Sequence, residues 1–372
     1  MEKNKKRLIF FMPSMEGGGV EKNLIIIANY VSKFKKDVSL ITFDNGFNKY
    51  FSKNINILNV RKRDKKKFSK YYKYFFCLII LFKEYIKNRN FVLFSFQANI
   101  YSIIFSYFLN FKIISRSNSS PSGWNKNFTK KLIFNFFIKK ADIVIVNSND
   151  FKKEFFKNFN VKPKLIYNPL NCKEIINKSK QKIKIEKKFK SPKNIKLINI
   201  ARLTDQKDHE TLIKAINIVS KKINCTLLII GYGSNKEKIR NLINHYNLNK
   251  YIKLINYKSN PFPYLKASDV FVLTSKYEGL PNVILEAQTL NKYVISANCP
   301  TGPKEILMNG KIGSLFKVGD FKKLASILID YSKNKRKYKK KIIIAESKLD
   351  RFNYTLNCQK YLSLINSIIL KI

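Results

Sequence analysis

A chain of 372 residues exceeds one comfortable core and is expected to fold as about two domains; 45% hydrophobic and 14% aromatic content excludes a disordered chain. Lys and Arg total 73 against 24 Asp and Glu, a formal charge of +49, which invites nucleic acid, anionic membrane or phosphorylated ligands. The chain is also rich in Asn, Ile, Phe and Tyr and prefers Lys to Arg, the residues of AT-rich codons, so part of the excess has a compositional cause and the clustering of charge decides more than its sum.

Short apolar runs alternating with helical patterns predict βαβ units. In the first half, strands are expected at Arg7–Met12, Val38–Phe43, Ile55–Val60, Phe91–Phe96, Lys112–Ser115, Asp142–Asn147 and Lys164–Tyr167. The first of them runs into Met15-Glu16-Gly17-Gly18-Gly19-Val20-Glu21 and a helical pattern through Val31. Glycines at such a turn let backbone N–H groups approach a diphosphate or sugar; a plain tight turn is the competing reading. The spacing is neither G-x-G-x-x-G nor a P-loop. The basic segment Arg61–Lys73 leads into the apolar run Tyr74–Phe82, which suits an anionic lipid surface, or else a solvated loop before a core helix. That run is far shorter than the roughly 20 residues of a membrane span, and the N-terminal apolar run is too short for a signal peptide. No membrane-crossing segment is expected.

Asn171–Asn194, Lys-rich and containing Pro192, reads as a linker. Strands of a second sheet are expected at Ile195–Ile200, Thr226–Ile230, Ile252–Asn256, Val270–Thr274 and Tyr293–Ala297, and Asn353–Leu370 has helical apolar spacing. The domain reading is therefore 1–188, 189–350, and a C-terminal helix over 351–372 packing back toward the first domain. Two doubly wound, Rossmann-like α/β domains would face one another across a cleft, with ligands at the carboxyl ends of strands. Five scattered cysteines and two histidines lack metal-ligand spacing, so reduced thiols in a cytoplasmic protein are expected and no metal site.

The most informative stretch is Tyr277–Ala287, YEGLPNVILEA, with Glu278 and Glu286 separated by seven residues. Pro281 suits the first helical position, which leaves Glu278 in the preceding loop and Glu286 about a turn and a half inside. Two carboxylates beside a helix N-terminus can bind hydroxyls next to a phosphate; a Ser275–Glu278 capping box with a solvated Glu286 is the alternative. Arg202 and Lys207 share the loop after Ile200 and can clamp a diphosphate, or be a solvated loop. Asp205 or Asp208 is expected as a helix cap, and His209 as a first-turn residue rather than a base. Gly231-Tyr232-Gly233-Ser234 and Asn298–Glu305, with Gly302, form further turns at the same rim. No D-x-D element occurs, so leaving-group charge would fall to Arg202, Lys207 and helix N-termini.

Together, GGGVE (17–21), ARLTDQKD (201–208), GYG (231–233), DVFVLTSKYEGLPNVILEA (269–287) and CPTGPKEI (299–306) resemble family 4 retaining glycosyltransferases of the GT-B fold, of the bacterial type that extends lipid-linked oligosaccharides. The resemblance implies that Arg202 and Lys207 bind the donor diphosphate and Glu286 the ribose, and that Glu278 positions the donor sugar electrostatically, with same-face retention. Gly17, Gly18, Gly19, Gly233, Asn282 and Gly302 would belong to the donor side, and Arg116, Asn118 and Glu21 to the acceptor side. The implied donor is a UDP-sugar with no further cofactor. The acceptor would be a polyprenyl-diphosphate-linked glycan, met at the inner face of the cytoplasmic membrane. Asn291 stands where many relatives have glycine, which would alter a turn. A UDP-sugar 2-epimerase shares the fold but needs acid and base groups not recognisable here. A basic nucleic-acid-binding protein is a further alternative, without a stacking or recognition-helix motif.

Overall fold

The computed structural model describes residues 6–59, 68–118, 128–183 and 194–370. Its strands are β1 (Arg7–Phe11), β2 (Val38–Thr42), β3 (Ile55–Asn59), β4 (Phe91–Ser95), β5 (Lys112–Arg116), β6 (Ile143–Val146), β7 (Lys164–Leu165), β8 (Ile195–Ile200), β9 (Cys225–Gly231), β10 (Ile252–Asn256), β11 (Val270–Leu273), β12 (Tyr293–Ala297) and β13 (Ser314–Phe316). Its helices are α1 (Gly19–Val31), α2 (Lys70–Lys87), α3 (Asn99–Leu109), α4 (Phe128–Ile138), α5 (Asn149–Phe159), α6 (Cys172–Ser179), α7 (His209–Val219), α8 (Lys236–His245), α9 (Phe262–Lys266), α10 (Asn282–Thr289), α11 (Pro303–Ile306), α12 (Phe321–Lys333), α13 (Lys335–Ser347) and α14 (Tyr354–Ile369).

The chain forms two compact units, Met1–Pro169 with Tyr354–Ile372, and Leu170–Asn353. The first unit holds a parallel sheet in the order β3-β2-β1-β4-β5-β6-β7. Its inner strands β1, β4 and β6 are almost wholly apolar because helices cover both faces. In β1 the two-residue period sends Leu8 and Phe10 to a core shared with α1 and α14, and Ile9 and Phe11 to a core shared with α2 and α5. Burying each such side chain stabilises the unit by about 1.5–3 kcal/mol. The segment read as a C-terminal helix places Tyr361, Ile365 and Ile368 in the first of these cores.

The second unit has the parallel order β10-β9-β8-β11-β12-β13. Every residue of β9 is buried, as a central strand flanked by β8 and β10 requires. Its edge strand β13, three residues long, is too short to show a period and was not expected from the sequence. The stretch expected to be a linker is folded in part. The Asn171 side chain accepts from the Glu174 N–H at 3.2 Å, capping α6, which packs on α9 and α10. The division between units therefore falls at 169/170 rather than 188/189, and at 353/354 rather than 350/351. Residues 184–193 lie outside the described ones.

Candidate active site

The carboxyl ends of β8 and β11 lie side by side where the second sheet reverses its strand order, with β9 and β10 on one flank and β12 and β13 on the other. Such a switch point leaves a crevice between diverging loops. The loop after β8 carries Arg202 and Lys207, and the loop after β11 carries Glu278. The two are sewn together: the Thr274 hydroxyl donates to the Lys207 carbonyl at 2.8 Å, Lys276 N–H to the Gln206 carbonyl at 2.8 Å, and the Gln206 amide to the Tyr277 carbonyl at 2.8 Å. At their junction the Lys207 ammonium is in direct contact with Oε1 of Glu278, and Ser275 Oγ donates to the same oxygen at 2.6 Å. The two ion-pair side chains are 14% and 9% exposed, so the pair is held largely away from water.

A third loop, after β12, closes on the same carboxylate residue. Glu278 N–H donates to the Pro300 carbonyl at 2.8 Å, and Thr301 Oγ1 to the Glu278 carbonyl at 3.1 Å. Gly302 has φ +81°, and a Cβ there would stand 1.9 Å from the Gly279 carbonyl oxygen. Gly233 plays the matching part beneath Arg202: with φ +154°, its Cβ would meet the Leu203 carbonyl oxygen at 2.2 Å. Both glycines thus permit backbone-on-backbone contact that sets the loops bearing the charged groups. Arg202 is exposed at the rim, while Lys207 is committed to Glu278.

Pro281 is the N-cap of α10 rather than its first residue, and Asn282 takes that first position. Glu286 accordingly sits about one turn into α10 and is buried, not solvated. Ser275 bonds Glu278 outside any helix, so the pair forms no capping box. Of the two aspartates considered, Asp208 caps α7, accepting from Thr211 N–H at 3.3 Å. Asp205 instead accepts from Asn235 at 2.7 Å.

His209 opens α7, is buried, and bonds the Asn199 side chain at 3.1 Å; Asn199 in turn donates to the Val272 carbonyl at 2.9 Å. This bridge ties α7 to β8 and β11 directly under Lys207. Burial and then the Lys207 charge push the His209 imidazole down to about 4, so it is neutral at physiological pH. Unfolding restores a value of 6.5 and lets the unfolded chain bind the proton first. The neutral imidazole therefore contributes stability above about pH 6.5 that is lost as pH falls toward 4, up to about 3 kcal/mol. Urea unfolding across this range is expected to show His209→Gln lacking that part of the wild-type slope. Parallel wild-type and variant curves would contradict it.

In the first unit, Gly17 has φ +80°, Gly18 is the N-cap of α1 and Gly19 its first residue. Three side chains hold the loop. Ser14 N–H donates to Gln97 at 2.7 Å, Met15 N–H to Asp44 at 2.8 Å and Glu16 N–H to Glu21 at 3.0 Å. Glu21 is thus a buried brace of its own loop. Lys73 bonds both oxygens of Asp44 at 2.8 Å and Ser14 at 3.3 Å. Asp44, Lys73 and Gln97 were not singled out from sequence, because no local pattern connects them. Lys73 therefore belongs to this loop rather than to a lipid-facing basic segment, whose residues 61–67 lie outside the described ones.

Arg116, expected on the acceptor side, is fully buried. It donates to Tyr361 at 3.0 Å and Asn168 at 2.6 Å, contacts Asn118, and stacks 5.2 Å from the Phe96 ring. Asn118 also donates to the Phe96 carbonyl at 2.6 Å. The pair ties the end of β5 to α14, and Arg116 presents no charge to solvent. All five cysteines are free thiols, and burial beside Glu278 pushes Cys299 up to about 12. Among the described residues no three His, Cys, Asp or Glu side chains gather as a metal site would require, and no helix is long and apolar enough to cross a membrane.

Residues 180–348 match the family described as "Glycosyl transferases group 1". The chain is 36% identical over 214 residues to "Uncharacterized glycosyltransferase MJ1059" of Methanocaldococcus jannaschii, a match covering 55% of the chain and about half, 52%, of that relative. It is 25% identical over 375 residues to the Campylobacter jejuni N-acetylgalactosamine-N,N'-diacetylbacillosaminyl-diphospho-undecaprenol 4-alpha-N-acetylgalactosaminyltransferase, covering 96% of the chain and 99% of the relative. The crystal structure of Anabaena Alr3699/HepE in complex with UDP and glucose superposes with a TM-score of 0.78 at 18% identity, covering 98% of this chain and all of that one. Residues 180–348 thus resemble the group 1 glycosyltransferases, and the fold is GT-B.

Proposed function

We propose that the protein is a glycosyltransferase that moves a hexose or N-acetylhexosamine, with retention of anomeric configuration, from a UDP-sugar to a polyprenyl-diphosphate-linked glycan in polysaccharide or glycan assembly. The observation that carries the reading is the Lys207–Glu278 pair, largely shielded at the switch point of the second sheet. A leaving diphosphate accumulates negative charge as the glycosidic bond breaks. Lys207, aided by Arg202, stabilises that charge where water is scarce and the donors are already in place. Glu278 is then released from Lys207 to hold sugar hydroxyls beside an oxocarbenium-like centre, and Glu286 bonds the ribose. With no base on the opposite face assigned, the departing phosphate takes the acceptor proton on the same face, which retains configuration. The UDP-bound neighbour of like fold and the Campylobacter relative named for an undecaprenol-linked substrate support the donor and acceptor classes. The enzyme works without a divalent metal, as a peripheral protein on the cytoplasmic side of a membrane.

Transfer is tested with UDP-, GDP- and dTDP-sugars and a polyprenyl-diphosphate-linked glycan, with and without EDTA. Mass spectrometry and anomeric couplings are expected to show one added sugar of retained configuration, undiminished by EDTA. Inversion, or dependence on a metal, would overturn the mechanism. Deuterium uptake at sugar C2 without any acceptor would instead favour an epimerase.

A further inference from the structure

Among the described residues, helices α2, α3 and α4 of the first unit share an apolar outer surface. Helix α2 exposes Tyr71, Phe75, Phe82 and Ile86, spaced at i, i+4, i+11 and i+15, so they line a single stripe. The opposite side of α2 already buries Tyr74, Cys77 and Leu81, so the outward stripe is not needed for the core. Helix α3, NIYSIIFSYFL, has no charged residue and exposes Tyr107 and Phe108, the latter 72% exposed. Helix α4 adds Ile133 and Phe136. The three helices are neighbours: Phe82 meets Phe105 at 6.1 Å between ring centroids, and Tyr107 meets Phe137 at 6.1 Å. A contiguous apolar surface of this kind marks an interaction site rather than scattered exposure.

Its charge says what covers it. Lys83 and Lys87 stand exposed on α2, and Lys139 and Lys140 follow α4; the Lys140 ammonium lies 5.2 Å from the ring centroids of both Tyr107 and Phe136. The one acidic residue in α2, α3 and α4 is Glu84, which is buried and bonded to Arg7 and Lys87. A second copy seated on this face would set lysine against lysine. Aromatic rings interleaved with ammonium groups, with no exposed carboxylate on the three helices, complement an anionic lipid interface, where rings reach the acyl boundary and lysines the headgroup phosphates. We propose that the outer face of α2, α3 and α4 is the surface by which the protein docks on an anionic bilayer. This builds on the membrane-peripheral reading above and gives it a location.

The test is co-sedimentation of the full chain with phosphatidylcholine vesicles and with equimolar phosphatidylcholine–phosphatidylglycerol vesicles. Three variants are compared: Phe75→Ser with Phe108→Ser; Lys83→Gln with Lys139→Gln and Lys140→Gln; and, as a control of equal charge on α13, Lys335→Gln with Arg336→Gln and Lys339→Gln. The wild type is expected to sediment with the anionic vesicles only. Both face variants should lose about tenfold or more in partitioning, and the α13 control less than about twofold. Face variants that bind as the wild type does, a control that loses as much as they do, or a wild type that stays in solution would overturn the proposal. So would a dimer that Phe75→Ser with Phe108→Ser dissociates. Nucleotide-sugar binding is read on the same samples. Vesicle binding lost with donor binding intact separates docking from the transferase reading, and donor binding absent from a vesicle-bound wild type sinks that reading alone.

Discussion

Lys207→Ala is expected to lower sugar transfer at saturating donor about 100-fold or more and to destabilise the protein by about 3 kcal/mol. The first effect follows from removing a preorganised cation from the site where leaving-group charge develops. The second follows from the ligand-free geometry, in which Lys207 is the cation in contact with a Glu278 side chain that is 9% exposed. Without Lys207 that carboxylate keeps the Ser275 hydroxyl and little else, and an uncompensated buried charge is costly. Glu278→Gln separates the two effects. It leaves Lys207 a neutral hydrogen-bond partner and should cost less stability than Lys207→Ala, while still impairing transfer because the charge facing the sugar is gone. Steady-state kinetics with urea unfolding on the same preparations read both. Near-normal turnover in a folded Lys207→Ala protein would remove Lys207 from the chemistry.

Gly302→Ala should be nearly as damaging to transfer, although the added methyl group is small and apolar. The new Cβ would lie 1.9 Å from the Gly279 carbonyl oxygen and 3.0 Å from the Leu280 Cα, at φ +81°. Those neighbours are backbone and cannot swing aside, so the loop itself must move. The same loop holds Glu278 through the Pro300 carbonyl and the Thr301 hydroxyl. A shift near 1 Å there costs about 100-fold in rate, with about 1–3 kcal/mol of stability lost to strain. Gly310→Ala is the matched control: its φ is +87°, but nothing lies within 4 Å of the added atom. It should share the backbone strain and keep its activity. Equal activity loss in both variants would show that strain alone, not displacement of Glu278, is responsible.

These two positions also show how far the sequence could be read. The strands were legible because buried parallel strands must be continuous apolar runs, and the glycine and carboxylate motifs were legible because they follow strand ends at fixed spacing. What the motifs did not reveal is which groups touch. Lys207 and Glu278 are 71 residues apart, and their contact depends on β8 and β11 being neighbours. Asp44 and Lys73, 29 residues apart, meet at the glycine-rich turn only through the fold, and Lys73 read from sequence as the end of a basic run. Arg116 was misleading for the opposite reason. The resemblance placed it on the acceptor side, whereas Tyr361 and Asn168, distant in sequence, supply the partners that let the guanidinium be buried. The strand β13 and the helix α6 were missed because three residues show no period and a lysine-rich stretch masks one short amphipathic turn.

On the proposed reading, the crevice at Lys207 and Glu278 holds the diphosphate of a sugar nucleotide. Saturation-transfer NMR of the full chain with UDP-, GDP- and dTDP-sugars, repeated with Lys207→Ala, tests it most directly. Saturation of one donor, a UDP-sugar, is expected, and its loss in a variant that remains folded. A folded wild type that binds none of them, or a Lys207→Ala protein that binds as the wild type does, would contradict it.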